Sequence, residues 1–380
     1  MQRKLFPGRP NAVERHEEIG FRYHDEKSTD GEPYWTETAA YEFTLAEVEA
    51  IEEATEELHY LCLALVDDIV GSGDYPDEFC LTDVGKTLIE QSWRERRAAV
   101  YGRFDLLFES VERIKLYEYN ADTPTSLLEA SVAQWLWVEE TPVPNHDQFN
   151  SIHEKLVERW RYALREPGDV LHLFAMREAP AEDWGNVSYM ADVALQAGWE
   201  IFVDDMENVG HDEYGFVDIN GDPIRYAFKL YPWEWMMEDP FGEFVVESDT
   251  QWFEPPWKML LSNKAILPLL WAKEPDHPNL LPAFFEEVNG FVKKPILGRE
   301  GAAIYRDGRL MEGSRQVVEY ETTFVYQEFA PLPDFDGRHP VIGSWMIGNQ
   351  AAGMGIREDR TLISGNGSHF VPHYFVEENL

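Results

Sequence analysis

The chain has 380 residues, 44% of them hydrophobic and 14% aromatic, enough for one large domain or roughly two to three ordinary ones and too apolar for a disordered chain. Its 71 acidic residues against 32 basic ones give a formal charge of −39, which repels nucleic acid phosphates and anionic membranes and draws in cations. A solubilising surface accounts for the same charge, so charge by itself names no ligand. No apolar run approaches the roughly eighteen residues of a membrane span, and the opening MQRKLFPGRPNAVERHEEIG lacks the apolar stretch of a signal peptide. A cytoplasmic protein with no membrane and no nucleic acid partner is expected. Cys62 and Cys80 can form no disulfide framework and sit in no zinc pattern; Cys62 in YLCLALV reads as core.

In chain order, residues 45–70 carry apolar positions at helical spacing, with Thr44 and Glu47 placed as a capping box. TDVGKTLIEQSW offers a short helix. Its Gly85-Lys86-Thr87 is not a phosphate-binding P-loop, because position 80 is cysteine where that motif needs glycine. YGRFDLLFES and ERIKLYEYN alternate and lie close enough to pair as a hairpin. A helix follows from about Ser126 through SVAQWLWVEE. From about 150 to 245 helices alternate with strands: DQFNSIHEKLVERWRYAL helical, DVLHLFAM a buried strand, and WGNVSYMADVALQAGW a helix ended by Gly198. After KMLLSNKAILPLLW, the short runs GFVKKPIL, GAAIYRDG, TTFVYQEFA, HPVIGSWMIG and RTLISG predict an antiparallel sheet, an α+β unit.

A hairpin turn centred between Val111 and Glu112 sets Arg103 opposite Asn120 and Asp105 opposite Glu118, all on one face. Buried charges cost several kcal/mol unless paired or bound to metal. A magnesium site of Asp105, Glu118 and the Asn120 carbonyl, with Arg103 holding an anion, explains the face; a solvent-facing side with cross-strand ion pairs is the competing account. In residues 291–309 five basic residues outnumber Glu300 and Asp307, a local reversal in an acidic chain. There Gly298-Arg299-Glu300-Gly301 between two strands can bring backbone N–H groups to phosphate oxygens, with Lys294 supplying charge, or can be a plain turn. Lys264 before an apolar helix and Arg357 after a glycine-rich run are weaker phosphate candidates, each also explicable as a surface or paired residue. Trp233, Trp235, Trp252 and Trp257 read as core or pocket wall. His369 and His373 are four apart but have Phe370 where a zincin needs glutamate, and no H-E-x-x-H motif and no G-x-S-x-G elbow occur, which leaves the metalloprotease and serine hydrolase readings without a motif.

YGRFD, EYNADTPTSLLEA, SNKAILPLLW, VKKPILGREGAAIY, VYQEFAPLPDF and GSWMIGNQAAGMGIRED occur in this order across essentially the whole chain, which resembles the glutathionylspermidine synthetase and trypanothione synthetase family. The resemblance implies an ATP-grasp fold with a pre-ATP-grasp region, mixing α+β and α/β parts. It places a pre-ATP-grasp and substrate-binding region at 1–250, including the metal-site hairpin at about 100–120, and a nucleotide-binding region at 251–380. It implies Mg held by Asp105, Glu118 and Asn120, ATP bound by Lys264 and Lys294, and a loop of Gly298, Arg299, Glu300 and Gly301 over the phosphates. Gln327 and Glu328 are implied at the adenine and ribose, Arg103 at substrate or phosphate, and Arg357 at the transferred phosphoryl group. The implied reaction is carboxylate–amine ligation through an acyl phosphate, with a glutathione-like peptide and a polyamine as possible acid and amine. The chain has no room for the amidase domain of bifunctional members. It also departs from the family at Asp122-Thr123-Pro124-Thr125-Ser126, where proline changes the backbone and leaves the acid open. A peptide ligase joining another acid and amine, or a non-catalytic cation binder, are the alternative readings.

Overall fold

Thr44 opens the longest helix as its sequence predicts. Its hydroxyl accepts from the Glu47 N–H, and the Glu47 carboxylate accepts from the Thr44 N–H, closing both halves of the capping box on the helix Leu45–Ser72. The computed structural model describes residues 1–28, 30–143, 145–317, 323–365 and 367–376. The helix lies under a five-stranded antiparallel sheet in the order His369–Val371, Gln350–Asp359, His339–Ile347, Tyr101–Ser110, Arg113–Asn120. Ile51, Leu58, Cys62 and Leu65 of the helix bury against Phe104, Leu106 and Met354 of the sheet, and Thr55 Oγ1 meets Ser344 Oγ at 2.7 Å. Each large side chain fully buried here contributes about 1.5–3 kcal/mol. That hydrocarbon face leaves the other face of the sheet to the polar residues of the hairpin.

The hairpin register agrees with the sequence where the polar residues sit: Arg103 faces Asn120 and Asp105 faces Glu118. Nearer the turn it slips by one, with Leu106 facing Leu116 and Phe108 facing Ile114, and it recovers at Ser110 and Arg113. Two bulges cancel, Tyr117 being the extra residue on one strand and Glu109 on the other. Tyr117 and Glu118 therefore both turn to the polar side, while Leu116 and Tyr119 enter the core. The start of the hairpin is pinned by buried Glu254, which accepts from the N–H groups of Val100 and Tyr101 at 3.0 Å and pairs with Lys258 at 2.7 Å.

The α/β expectation for the middle of the chain matches a parallel sheet in the order Gln251–Phe253, Tyr226–Lys229, Val170–Ala175, Glu200–Asp205. The helices Ile152–Ala163 and Ala181–Ala197 accompany it, the second closed by Gly198 at φ 104°. Gly85-Lys86-Thr87 lies inside the helix Asp83–Arg94, capped by Thr82, and Trp233, Trp252 and Trp257 are core. The stretch from Ser126 begins as a π turn, Glu129–Ala133, before the α-helix Gln134–Glu140.

Two expectations for the last third change. Its strands make two sheets: Val292–Pro295, Tyr305–Arg306 and Phe324–Gln327 join a small sheet with Ala283–Phe284 and Arg309–Leu310, whereas His339–Ile347 pairs with the distant hairpin. Strand length separates them, because nine- and ten-residue strands match the ten residues of Tyr101–Ser110 while the shorter run stops at Pro295, which has no N–H to donate. Thr322, at the start of the run TTFVYQEFA, lies outside the described residues. RTLISG forms no strand, since Asp359 Oδ1 accepts from both the N–H and the hydroxyl of Thr361 and turns the chain. As a test of the cap, Thr44→Ala is expected to lower stability by about 1 kcal/mol in urea unfolding with an unchanged m-value.

Candidate active site

The polar face of the hairpin, the small sheet and the loops of the parallel sheet enclose a cavity of about 380 Å³. All thirteen residues singled out from the sequence line it: Arg103, Asp105, Glu118, Asn120, Lys264, Lys294, Gly298, Arg299, Glu300, Gly301, Gln327, Glu328 and Arg357. Asp105 is buried and faces two guanidiniums. Arg103 reaches its two oxygens at 2.8 and 3.3 Å, and Arg357 reaches Oδ2 at 2.7 Å. Arg103 fits because its sheet neighbour Gly343 lies opposite Asp105; a Cβ there would stand 2.7 Å from Arg103 Cδ. Burial opposes the charge on Arg103, but Asp105, with Glu118 and Glu182, keeps it cationic.

Glu118 meets Lys264 Nζ at 2.9 Å and accepts from Asn120 Nδ2 at 3.3 Å. Burial pushes its carboxyl up, but Lys264 and Lys294 outweigh burial and hold it down at about 2. Lys264 also donates to the Gly298 carbonyl at 2.6 Å, tying the carboxylate to the glycine loop. Lys294 donates to Gln327 Oε1 at 2.6 Å and lies over the Tyr117 ring, while Gln327 Nε2 holds the Leu116 carbonyl at 3.0 Å. Burial, aided by the charge of Lys264 and opposed by Glu118, brings the Lys294 ammonium down to about 8. Hard oxygen donors of this kind, Asp105, Glu118 and the Asn120 amide oxygen, fit a divalent ion of the magnesium class.

The loop between Val292–Pro295 and Tyr305–Arg306 folds over this cluster. Gly301 sits at φ 65°, where a side chain would lie 2.7 Å from the Ser364 carbonyl. The N–H groups of Arg299, Glu300 and Gly301 make no hydrogen bond among the described residues. Arg299 does not stay with the lysines: it donates to Thr123 Oγ1 at 2.9 Å and to Glu234 at 2.6 Å, and lies over Trp235. Thr123 follows Asp122, which is fully buried with Lys229 at 2.8 Å and accepts from the Trp233 N–H. The Thr125 carbonyl accepts from Arg103 at 2.6 Å. The departure segment 122–126 is thus held from both sides of the cavity.

A second wall carries Met176, Glu178, Glu182 and Asp183, which sequence reasoning missed. These residues leave the C-terminal end of Val170–Ala175 and enter the helix Ala181–Ala197; the rule that ligands gather at the carboxyl ends of parallel strands was the available signal. Burial, then the charges of Glu182 and Glu300, push Asp183 up to about 7 against Arg299. Tyr117 was missed because a bulge, and not alternation, turns it into the cavity.

A cation-rich pocket under a glycine loop and beside paired acidic oxygens is the site of this chain, an ATP-grasp enzyme of the carbon–nitrogen ligase class. The chain belongs to the glutathionylspermidine synthase preATP-grasp family, whose model matches residues 3–376. A Haemophilus influenzae protein provisionally named acid–amine ligase is 47% identical, with 98% of each chain covered. A trypanothione synthetase of Crithidia fasciculata is 29% identical over 74% of this chain and 48% of its own length. The bifunctional glutathionylspermidine synthetase/amidase of Escherichia coli is 26% identical over 89% and 59%. The chain therefore spans about half the length of these last two relatives. A glutathione synthetase-like effector from Globodera pallida shares the fold, with a TM-score of 0.58 at 10% identity over 96% of each chain. Among the described residues no helix is long and apolar enough to cross a membrane.

Burial brings the Lys294 proton loss to about pH 8, so as a phosphate ligand Lys294 should leave nucleotide affinity, measured by calorimetry at saturating magnesium, steady below that pH. Above it the affinity should fall by up to about tenfold per pH unit. Lys294→Arg should remove that fall.

Proposed function

We propose that the chain is a magnesium-dependent ligase that uses ATP to activate a substrate carboxylate as an acyl phosphate and joins it to a cationic amine. One observation carries the reading: thirteen residues from distant stretches meet in one cavity as a cation cluster, an oxygen-donor cluster and a glycine loop, with the acidic wall of Glu178, Glu182 and Asp183 beside them. Lys264 and Lys294 hold the phosphates, and the open N–H groups of the loop 299–301 close over them. Glu328 serves the ribose, while Gln327 fixes the direction of Lys294. Asp105, Glu118 and Asn120 would hold magnesium, which when bound neutralises phosphate charge. Arg103 and Arg357 flank Asp105 and face the charge that builds on the transferring phosphoryl group. The substrate carboxylate attacks the γ-phosphorus, and the amine then attacks the acyl carbon and displaces phosphate.

Glu178, Glu182 and Asp183 give the amine a carboxylate wall, in keeping with a chain of formal charge −39. The acid lies along residues 122–126, whose Thr123 and Thr125 are engaged by Arg299 and Arg103. The names of the relatives make glutathione and spermidine the first pair to try. ATP binding by calorimetry with and without magnesium, then ADP release on adding both, tests the reading. Binding that needs magnesium, with release that needs the amine, is expected; ATP binding indifferent to magnesium would overturn the metal assignment. Asp105→Ala and Glu118→Ala should each abolish turnover with a native circular dichroism spectrum, and full activity in both would sink the oxygen-donor cluster. Lys294→Met should weaken ATP binding at least tenfold at pH 7.

A further inference from the structure

Glu129 follows the substrate segment at the start of the π turn Glu129–Ala133 and is fully buried. Its Oε1 accepts the Tyr34 hydroxyl at 2.7 Å, while Oε2 has no hydrogen-bond partner among the described residues. A carboxyl so placed serves no packing purpose that glutamine or leucine would not serve without the cost of a buried charge. The Tyr34 hydroxyl also lies 3.4 Å from Ser126 Oγ, and Ser126 Oγ donates to Glu182 Oε1 at 3.3 Å. Glu182 lines the cavity. Three hydrogen-bond steps therefore lead from the acidic wall to a buried, half-satisfied carboxyl. The titratable groups facing Glu129 are Tyr23 and Tyr34 from the N-terminal segment and Glu182 from the helix Ala181–Ala197. Burial, then the charge of Glu182, push Glu129 up to about 8 against the hydrogen bond of Tyr34.

We infer that Glu129 takes up the proton that the attacking ammonium must lose, passed to it through Glu182, Ser126 and Tyr34. The inference rests on the ligase reading above. An alkyl ammonium, with a pKa of about 10, has no electron pair to attack with. Its proton moves to Glu182; Glu182 hands one to Ser126 Oγ, Ser126 hands its own to the Tyr34 oxygen, and Tyr34 hands its own to Glu129. Ammonium and carboxylate become amine and carboxylic acid. The nitrogen lone pair then forms the C–N bond, the acyl C–O bond to phosphate breaks with its electron pair leaving on phosphate, and phosphate takes the second N–H proton. Charge drives the relay in the right order. A cation bound beside Glu182 weakens the hold of Glu129 on a proton and empties it; neutralising the ammonium restores that hold as the proton arrives. Glu129 touches no substrate and is a positioning residue for the proton.

Spermidine is the probe. Calorimetry of spermidine binding to the full chain at pH 8, in two buffers of different ionisation enthalpy, counts the protons released. The wild type should release a substantial fraction of a proton per spermidine, and Glu129→Gln should bind within threefold of it and release clearly less, only what Asp183 and Lys294 of the same cavity supply. Equal release in both proteins overturns the role of Glu129 while leaving the amine site standing; no spermidine binding by the wild type overturns the amine site and this inference with it. In turnover, Glu129→Gln should be slowed at least tenfold with spermidine and lose the rise of kcat toward pH 8. It should match the wild type with hydroxylamine, which is already unprotonated. Equal slowing with both nucleophiles makes Glu129 merely structural and overturns the proposal. Tyr34→Phe, which cuts the relay but keeps Glu129, should show the same split between nucleophiles with proton release retained; no split there also overturns it.

Discussion

Asp105 and Glu118 stand on a strand pair whose other face is hydrocarbon, and the charge they carry has to be met by something other than bulk water. An unpaired carboxylate in that position would cost several kcal/mol. The hairpin itself supplies one cation, Arg103, and the remainder arrive from far along the chain: Lys264 beside Glu118, Lys294 behind it, and Arg357 against Asp105. Meeting the charge draws the small sheet, the helix after Lys264 and the returning strand Gln350–Asp359 to one place. Each partner is also a cation that a polyphosphate would attract, so these ion pairs are the ones the proposed nucleotide and metal would have to exchange with.

The parallel sheet answers a different constraint. Its inner strands are buried while the edge strand Glu200–Asp205 is largely open, and the carboxyl ends are where backbone and side chains become free to meet a ligand. Val170–Ala175 delivers Glu178, Glu182 and Asp183 there, and Tyr226–Lys229 leads into the segment that carries Trp233, Glu234 and Trp235. Two fully buried ion pairs, Lys229 with Asp122 and Lys258 with Glu254, fasten these ends to the segment 122–126 and to the hairpin start. Arg299 then bridges the two regions by leaving the phosphate loop for Thr123 and Glu234. The glycine loop and the segment 122–126 are one connected object.

Much of this was legible because short-range physics wrote it. The capping box at Thr44, the glycine stop at Gly198 and the opposition of Asp105 to Glu118 follow from residue type and spacing within a few turns or one tight hairpin. Asp105, Glu118, Arg103 and Lys294 could be named because charged residues stood out against an apolar strand or an acidic chain, whereas the roles of Lys264, Arg357, Gln327 and Glu328 came from the family resemblance. Residues whose placement depends on an irregularity or on a distant partner could not be named that way. Tyr117 reaches the cavity through a bulge that breaks alternation, and RTLISG reads as a strand until Asp359 captures Thr361.

The sequence by itself determined the local elements and the hairpin with its polar face. Tertiary structure alone decided that the last third divides between two sheets, because strand length and the missing N–H of Pro295 select partners only when all strands compete. It alone turned Arg299 toward Thr123 and set Glu182 and buried Glu129 on a common hydrogen-bonded path through Ser126 and Tyr34. Those contacts join residues 34, 126, 129 and 182, and no periodicity in a chain encodes a meeting between segments whose approach is fixed by the packing of everything between them.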